Sequence, residues 1–409
     1  MIDINTLRNN PQKVRDGVMA KGYNLELVEK AIAADAAWRE ILAQVEKLRA
    51  ERNKAAKERD VEGGKRIKSE LTGFEQKLAE SEKNALATLG EIPNLPDESV
   101  PHGTGEQENV EIRKWGEPKE FDFVAKDHLE LGEKLDLLDF ERGAKVTGSQ
   151  FYFLKNDLVR LEFALIQFGL ELLSEKGFKL ISTPDLAKSR YYMGTGYNPK
   201  GDEAQIYEIK DTDLGLIATA EVTMAGYHAD EVLFKKDLPL KYAAISHCFR
   251  QEAGAYGKYS KGLYRVHQFT KLEMFAYTEP SESANMHELM LNIEEEIMQK
   301  LNIPYRVVEM CSGDLGAIAA KKYDIDAWMP GRGDYGEVTS TSNTTDYQSR
   351  NLNIKYRDGD HNDYVHMLNG TAVVTSRIPI AIMENYQNKD GSIAIPDVLQ
   401  KWMGKEVIK

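Results

Sequence analysis

Coiled-coil spacing in the N-terminal part of the chain restricts the possible folds more than any other feature of the sequence. Seam positions run from Trp38 to Ala55 in alternating steps of three and four residues, and the same spacing returns from Ile67 to Ala85. The segment VEGG at 61–64 separates the two stretches, and paired glycines permit a tight reversal of the backbone. The pattern therefore predicts an antiparallel helical hairpin over residues 25–89, with its turn at 61–64.

Three prolines after the hairpin predict a linker, namely Pro93, Pro96 and Pro101. We therefore divide the chain into an N-terminal domain over 1–100 and a C-terminal domain over 101–409. In the second domain, the apolar spacing over 154–172 predicts an amphipathic helix that ends at Gly177. Short segments rich in β-branched and aromatic residues predict strands at 214–220, 245–252, 266–278, 305–310 and 335–341. The predicted fold class is α+β, an antiparallel sheet with helices packed on it.

Basic residues are concentrated at the tip of the predicted hairpin, although the chain as a whole is acidic. The sequence contains 53 Lys and Arg against 66 Asp and Glu, which gives a net charge of −13. Between Lys47 and Lys68, nine basic residues outnumber four acidic ones, so this segment carries +5 and the rest of the chain −18. A run of charges is usually a solvated helical face, but its position at the tip of an arm also fits the binding of a polyanion.

Several absences in the sequence exclude whole classes of protein. No apolar run approaches the roughly 18 residues that a membrane-spanning helix needs, and the glycine-rich P-loop and Rossmann motifs are missing. The two cysteines, Cys248 and Cys311, are too few for a disulfide framework or a cysteine-rich zinc site. The N-terminus lacks the apolar segment of a secretory signal. We therefore expect a cytoplasmic protein with no membrane association and no zinc.

Two neighbouring predicted strands, Ile245–Glu252 and Val266–Thr278, carry polar side chains on one face. Because side chains alternate along a strand, Arg250 shares a face with Glu252, and Phe269 shares a face with Glu273. Arg suits phosphate oxygens, Phe offers a platform for a base, and Glu accepts hydrogen bonds from amines and hydroxyls. This face indicates a binding floor, although a charged surface strand without a ligand is an equally common explanation.

Several long motifs, in order, resemble the seryl-tRNA synthetases of bacterial type, which belong to the class II aminoacyl-tRNA synthetases. GFKLISTPDL, at the end of the region 153–186, resembles motif 1. FRQEAGAYGKYSKGLYRVHQFTKLEMF at 249–275 resembles motif 2, and LNGTAVVTSRIPIAIMENYQ at 368–387 resembles motif 3. TAE at 219–221 is similar to the serine-binding loop, and 313–350 is similar to the segment near ATP and the dimer interface. The resemblance covers essentially the whole chain.

The resemblance implies a fold and a reaction. The N-terminal domain would bind tRNA with its coiled-coil arm, the C-terminal domain would be a class II catalytic core, and the protein would be a homodimer. The enzyme would be a serine–tRNA ligase, which uses ATP to activate L-serine as seryl-adenylate and then transfers serine to the 3′ end of tRNA(Ser). It would bind that tRNA through its long variable arm, and it would also charge the selenocysteine tRNA of a host that has one.

The resemblance also implies roles for individual residues. Arg250 and Arg377 would be the catalytic residues because they hold the phosphates, and Glu337 with Ser340 would hold Mg²⁺ together with ATP. The ATP-binding residues would be Arg250, Gln251, Glu252, Val266, Phe269, Glu337, Val338, Thr339, Ser340 and Arg377. The serine-binding residues would be Thr219, Ala220, Glu221, Arg250, Glu273 and Thr371. The basic tip adds tRNA-binding residues: Arg52, Lys54, Lys57, Arg59, Lys65 and Arg66.

Two alternatives to a serine–tRNA ligase remain open at this point. One is a synthetase-like paralogue that charges a different acceptor, and the absence of the arm would favour it. The other is a non-catalytic homologue, which would have lost some of the residues that bind ATP or serine. The sequence contains the arm together with Arg250, Glu252, Glu273, Glu337 and Arg377. It therefore favours the ligase.

Overall fold

The computed structural model describes residues 1–196, 206–252 and 261–409. They form two compact units, Met1–Pro96 and Asp97–Lys409. The boundary between the units lies four residues before the one that we predicted from the prolines.

The first unit is helical and contains the predicted arm. Its helices are α1 (Ile4–Asn9), α2 (Pro11–Ala20), α3 (Glu26–Glu58) and α4 (Val61–Gly90). Helices α3 and α4 pack along a narrow seam in which Val45, Leu48 and Leu71 are buried. The predicted pair of long helices is thus confirmed, and the apolar spacing that predicted it lies along the contact between them.

The reversal between the two long helices lies earlier than predicted, so the predicted turn at 61–64 is wrong. Helix α3 ends at Glu58, and its C-cap, Arg59, has a left-handed φ of 58°. The Asp60 side chain then accepts a hydrogen bond from the Gly63 N–H at 2.9 Å and caps the N-terminus of α4. A Cβ at position 63 would collide with the Asp60 carboxylate, so glycine there permits the cap and does not make the turn.

The second unit combines short helices with many strands. Its helices are α5 (His128–Lys134), α6 (Phe140–Val146), α7 (Asn156–Glu175), α8 (Ser189–Thr195), α9 (Ala220–Gly226), α10 (Ser283–Lys300), α11 (Tyr347–Leu352), α12 (Arg377–Asn385) and α13 (Asp397–Met403). Its strands are β1 (Val110–Trp115), β2 (Leu138–Asp139), β3 (Phe153–Leu154), β4 (Lys179–Ser182), β5 (Leu186–Lys188), β6 (Tyr207–Glu208), β7 (Leu214–Leu216), β8 (Val232–Phe234), β9 (Leu240–Phe249), β10 (Gln268–Thr278), β11 (Tyr305–Glu309), β12 (Lys321–Met329), β13 (Asp334–Asn343), β14 (Lys355–Asp358), β15 (His361–Tyr364), β16 (His366–Val374), β17 (Ile393–Ala394) and β18 (Val407–Ile408).

An eight-stranded sheet organises the described part of this unit, in the order β1-β11-β12-β13-β16-β10-β9-β4. Neighbouring strands are antiparallel except β4 and β9, which are parallel. Helices α7, α10 and α12 pack on the sheet. Gly169 lets α7 approach β10 and β16 closely, because a Cβ there would lie 2.7 Å from Leu272 and 2.9 Å from Val373. The predicted α+β class is confirmed, as is the amphipathic helix before Gly177.

The central strands are displaced from the predicted segments, and this changes where two polar residues lie. Strand β9 ends at Phe249, so Arg250 and Glu252 follow the strand and do not belong to it. The Arg250 N–H still donates to the His267 carbonyl at 2.9 Å, but Glu252 has a left-handed φ of 50°. Strand alternation therefore does not apply to Glu252, and the predicted shared strand face of Arg250 and Glu252 is wrong.

Candidate active site

Most of the residues predicted to bind ATP line one pocket over β10, β13, β16 and the start of α12. The pocket brings together ten predicted residues: Arg250, Glu252, Val266, Phe269, Glu337, Val338, Thr339, Ser340, Thr371 and Arg377. Its lining also contains five that sequence reasoning gave no role: Tyr264, Arg265, Lys271, Val374 and Ser376.

Two irregularities in strand pairing shape this pocket. In the pairing of β12 with β13, Ile325 faces Thr339 and Asp326 faces Glu337, so Val338 is an extra residue. In the pairing of β10 with β16, Leu272 faces Val373 and Glu273 faces Thr371, so Ala372 is extra. Such β-bulges bend a strand and turn side chains in new directions. Four consecutive residues, 337–340, accordingly line the pocket, which regular alternation would not allow.

Arg377, the first residue of α12, is held at the pocket by several contacts. Its Nη1 lies 2.9 Å from Glu337 Oε1, and its Nε donates to the Tyr264 carbonyl at 3.3 Å. Its guanidinium also lies over the Tyr264 ring, 4.8 Å from the ring centroid. Burial alone would raise the pKa of Glu337, but attraction to Arg377, Lys322 and Arg250 outweighs burial and lowers the pKa to about 2. Glu337 is therefore an ionised carboxylate at neutral pH.

Arg250, the residue that follows β9, lies against an aromatic ring of β10. Its guanidinium lies 5.2 Å from the centroid of the Phe269 ring, and its Nε donates to the Ala218 carbonyl at 3.2 Å. The carbonyl contact and the ring contact together orient a cation toward the pocket, which suits the binding of phosphate oxygens.

Of the neighbouring residues Gln251 and Glu252, both predicted to bind ATP, only Glu252 lines the pocket. Glu252 lines the pocket and forms an ion pair with Arg265, which also lines it. Gln251 does not line the pocket, because its Nε2 donates to the Ile206 carbonyl at 2.8 Å. The turn of motif 2, residues 253–260, lies outside the described residues.

The residues predicted to bind serine form a buried cluster joined to the pocket by Thr371 and Lys271. The Thr219 hydroxyl donates to Glu273 Oε2 at 3.0 Å, and Lys271 forms an ion pair with the same carboxylate. Thr371 pairs with Glu273 in the sheet and also lines the pocket. Thr219 is the N-cap of α9, so Ala220 and Glu221 lie in a helical turn and not in a loop.

The pocket residues that the sequence did not predict differ in whether a sequence pattern could have identified them. Lys271 lies on the same strand face as Phe269, so strand alternation could have identified it. Tyr264 lies in a 3-10 turn, Gly262–Tyr264, where no periodicity operates. Ser376 precedes α12 and follows the bulged strand, and nothing in its sequence position marks it.

The chemistry of two pocket residues suits a divalent cation held together with ATP. The Glu337 carboxylate and the Ser340 hydroxyl are hard oxygen donors that line the same pocket, and Mg²⁺ typically takes one or two protein oxygens together with substrate phosphates. Within residues 1–196, 206–252 and 261–409, no cluster of three or more His, Cys, Asp or Glu side chains has the arrangement of a metal site. In the same ranges, no helix has both the length and the apolar character required to cross a membrane.

The basic residues predicted to bind tRNA lie at the tip of the arm, at the end of α3 and the start of α4. All six are exposed: Arg52, Lys54, Lys57, Arg59, Lys65 and Arg66. Among the described residues, none of the six takes part in an ion pair, whereas Arg49, further from the tip, pairs with Glu75 at 2.8 Å. The positive charge at the tip is therefore not neutralised by neighbouring side chains.

Comparison with known proteins covers both units. Residues 1–96 match the family described as "Seryl-tRNA synthetase N-terminal domain", and residues 206–386 match "tRNA synthetase class II core domain (G, H, P, S and T)". The serine–tRNA ligase of Dictyoglomus turgidum is 51% identical, with 100% of this chain and 99% of that protein covered. That of Rubrobacter xylanophilus is 50% identical over the same shares.

Solved structures agree with these matches. The seryl-tRNA synthetase from Pyrococcus horikoshii, complexed with ATP, is 42% identical with a TM-score of 0.94, and the alignment covers 100% of this chain and 99% of that one. The cytoplasmic serine–tRNA ligase from Naegleria fowleri, in complex with AMP, is 34% identical with a TM-score of 0.91 over the same shares. These similarities extend over the arm and the catalytic unit alike, and this chain belongs to the seryl-tRNA synthetase family.

Proposed function

We propose that this protein is a serine–tRNA ligase, which activates L-serine with ATP to seryl-adenylate and diphosphate and then transfers serine to the 3′ end of tRNA(Ser), releasing AMP. The observation that carries the proposal is the convergence of Arg250, Glu337 and Arg377 on one pocket, in a chain that matches serine–tRNA ligases over its whole length. No comparison favours a paralogue with another acceptor or a non-catalytic homologue.

The activation step needs no nucleophile from the protein. A carboxylate oxygen of serine attacks the α-phosphorus of ATP, and the bond from that phosphorus to diphosphate breaks. The site has to align the two reactants and neutralise the charge that grows on the phosphate oxygens. We assign contact with the α-phosphate and the serine carboxylate to Arg250, and contact with the γ-phosphate to Arg377. The ion pair of Arg377 with Glu337 supports this assignment, because it holds the guanidinium at the pocket.

Mg²⁺ bound with ATP supplies further neutralisation of the phosphate charge. Glu337 and Ser340 would hold it, since both offer oxygen atoms at the pocket. The lowered pKa of Glu337 keeps its carboxylate ionised, which is the form that binds a divalent cation.

Recognition of adenine and of serine would use different residues. For adenine we propose Glu252 at the base edge and Phe269 beneath the ring, with Val266, Val338 and Thr339 beside the nucleotide. For serine we propose the cluster around Glu273 and Thr219, with Glu221, Ala220 and Thr371. A buried cluster of hydrogen-bonding groups would be left unpaired if alanine bound, and sites of this kind reject the analogue without the hydroxyl by roughly 10⁴–10⁵-fold.

The transfer step requires recognition of a tRNA. We propose that the exposed basic tip binds the backbone of the long variable arm of tRNA(Ser), since the major groove of A-form RNA is too narrow for side chains to read. We further expect a homodimer formed through the motif 1 region, 153–186, a cytoplasmic location, and charging of the selenocysteine tRNA in a host that has one.

Amino-acid-dependent exchange between ATP and diphosphate, measured with all twenty amino acids, tests the reaction. We expect exchange with serine alone and a loss of at least about a hundredfold in Arg250→Ala, because a charged contact to the transition state disappears. The matched control is Arg357→Ala, an exposed arginine on β14, which should keep full activity and the same thermal midpoint. Exchange with another amino acid would contradict the proposed substrate, and full activity of Arg250→Ala would contradict its role.

A further inference from the structure

A buried amide on α11 contacts the cluster proposed to bind serine. Gln348 has no solvent exposure, and its Nε2 donates to Glu221 Oε1 at 2.7 Å. The same nitrogen donates to the Thr195 carbonyl at 3.1 Å, and the Thr344 hydroxyl lies 3.2 Å from Gln348 Oε1. The Gln348 side chain therefore joins α11 to the first turn of α9 and to the last residue of α8.

This arrangement fixes the orientation of the amide group. Its nitrogen faces two acceptors, an oxygen of the Glu221 carboxyl group and a backbone carbonyl, whereas its oxygen lies near the Thr344 hydroxyl, which also donates to the Met367 carbonyl at 2.8 Å. A flipped amide would point its oxygen at both acceptors, so only one orientation satisfies the buried groups. Because Glu221 is buried, loss of this hydrogen bond would leave its carboxyl oxygen without this donor in the interior, which is costly.

The Glu221 carboxylate is in turn connected to the rest of the serine cluster. The Glu221 N–H donates to the Thr219 hydroxyl oxygen at 3.4 Å, and that hydroxyl donates to Glu273. The backbone of Glu221 is therefore held by Thr219 and its side chain by Gln348, from two different elements of the fold.

We propose that Gln348 is a positioning residue for serine binding, which acts by fixing the orientation of the Glu221 carboxylate. The inference rests on the proposed function, in which Glu221 belongs to the serine site. Gln348 lies outside the pocket, on a different helix from every residue assigned to serine or ATP. Loss of the amide should weaken the binding of serine and leave the binding of ATP unchanged, because the Gln348 hydrogen bonds in the described part of the chain go to Glu221, Thr195 and Thr344, none of which lines the pocket.

A neighbour on the same helix provides a matched control. Asn351 Nδ2 donates to the Gly194 carbonyl at 3.0 Å, so α11 contacts the end of α8 through two amides. Asn351 makes no contact with Glu221 among the hydrogen bonds of the described residues. Asn351→Ala therefore removes a contact between α11 and α8 without disturbing the carboxylate.

Steady-state serine-dependent exchange of the full-length enzyme tests the proposal through separate KM values for serine and ATP. Gln348→Met keeps the side-chain length without a hydrogen-bonding group, and we expect it to raise the KM for serine at least about tenfold, because a buried carboxyl oxygen loses its donor. We expect a larger rise in Gln348→Glu, which places a second carboxyl group against Glu221 and the Thr195 carbonyl in place of the donating amide. The KM for ATP should stay within about twofold in both variants, and Asn351→Ala should change neither constant.

The possible outcomes separate this proposal from the proposed function. An unchanged serine KM in Gln348→Met, or an equal rise in both KM values with a lowered thermal midpoint, overturns the positioning role. Gln348→Glu keeps the shape of the side chain and decides the matter in the same way if the Met variant does not fold. Absence of serine-dependent exchange in the unaltered enzyme would instead refute the proposed function.

Discussion

Glu294, on α10, is a fully buried carboxyl group packed beneath the strand that carries residues 337–340. Its Oε2 accepts a hydrogen bond from the Thr339 hydroxyl at 2.9 Å, whereas its Oε1 has no hydrogen-bond partner in the described part of the chain. Burial raises its pKa well above the ordinary value, and the nearby charges of Asp324 and Glu273 add to the rise. In the pH range between the ordinary glutamate pKa and the raised native pKa, the folded protein therefore binds more protons at Glu294 than the unfolded chain does.

This difference in proton binding predicts that Glu294 lowers the free energy of unfolding by an amount that depends on pH. Above the ordinary glutamate pKa the unfolded chain binds fewer protons than the native state, so the free energy of unfolding falls as pH rises toward the native pKa. The fall is up to about 1.4 kcal/mol for each pH unit in that window. We expect Glu294→Gln, which keeps the Thr339 hydrogen bond without ionising, to be more stable than the unaltered protein at pH 8 and to lose that advantage near pH 5.

Urea-induced unfolding of both proteins at pH 5, 6.5 and 8 measures the difference. Glu175→Gln, at the exposed end of α7, is the matched control and should give a curve parallel to that of the unaltered protein. If the Glu294→Gln curve were also parallel, Glu294 would not bind an extra proton in the native state.

At the scale of residues, the family motifs gave predicted roles to ten of the residues that line the pocket, whereas the other lining residues are identified by three-dimensional contact. Arg250, Glu337 and Arg377 lie far apart in the chain, and only the family motifs brought them together before the fold was known. Gln348 and Tyr264 carried no usable signal, because Gln348 is identified by the acceptors to which its amide donates, and Tyr264 by the Arg377 guanidinium that donates to its carbonyl. Such partners depend on tertiary contacts that local sequence patterns do not encode.

At the scale of elements, periodicity predicted the helices well and their ends poorly. The seam of the arm repeats over many residues, so its helical character was clear, whereas its reversal depends on a single capping carboxylate, Asp60. Strand β9 likewise ends at Phe249, short of the predicted Glu252, whose left-handed φ is incompatible with a strand. Such local contacts and backbone angles are not resolved by a pattern averaged over several residues.

The basic tip of the arm leads to a prediction about tRNA binding. Reversing the charge of Arg52, Lys54, Lys57 and Arg59 to Glu should abolish charging of tRNA(Ser) at physiological salt, because contacts to phosphates are replaced by repulsion. Serine-dependent exchange should remain unchanged, since this reaction involves no tRNA. The measurement compares aminoacylation with exchange for the same preparation.

A matched pair of reversals lies further along the same arm. Lys77 and Lys83 are exposed on α4, and Lys77→Glu with Lys83→Glu changes the charge of the arm without touching its tip. This control should retain aminoacylation. For the unaltered enzyme, the logarithm of tRNA affinity should fall linearly with the logarithm of salt concentration, with a shallower slope once the tip is reversed. Equal slopes would mean that the tip is only a solvated helical face.

At the scale of the whole molecule, each of the two units buries its own hydrophobic residues. We therefore expect serine activation to be separable from tRNA binding. The first unit buries its own seam and the second its own sheet and helices. Deleting residues 33–88 and joining the ends with a short glycine linker should leave serine-dependent exchange within about twofold, because the proposed site lies entirely within 97–409. The same deletion should abolish aminoacylation of tRNA(Ser) at physiological salt. Aminoacylation at the unaltered rate would show that the arm has no part in binding tRNA.

The two extra residues in the central sheet, Val338 and Ala372, also bear on how this site tolerates insertions and deletions. Removing Val338 would restore an unbroken ladder between β12 and β13 in which the pairs Ile325–Thr339 and Asp326–Glu337 are both kept. The four residues 337–340 could then no longer all line the pocket, because the faces of a regular strand alternate, so the site would change through backbone geometry as well as through the loss of the Val338 side chain. A single-residue deletion at Val338 should therefore disturb the site while it preserves strand pairing, whereas a deletion in a regular stretch of β13 would shift the pairing itself.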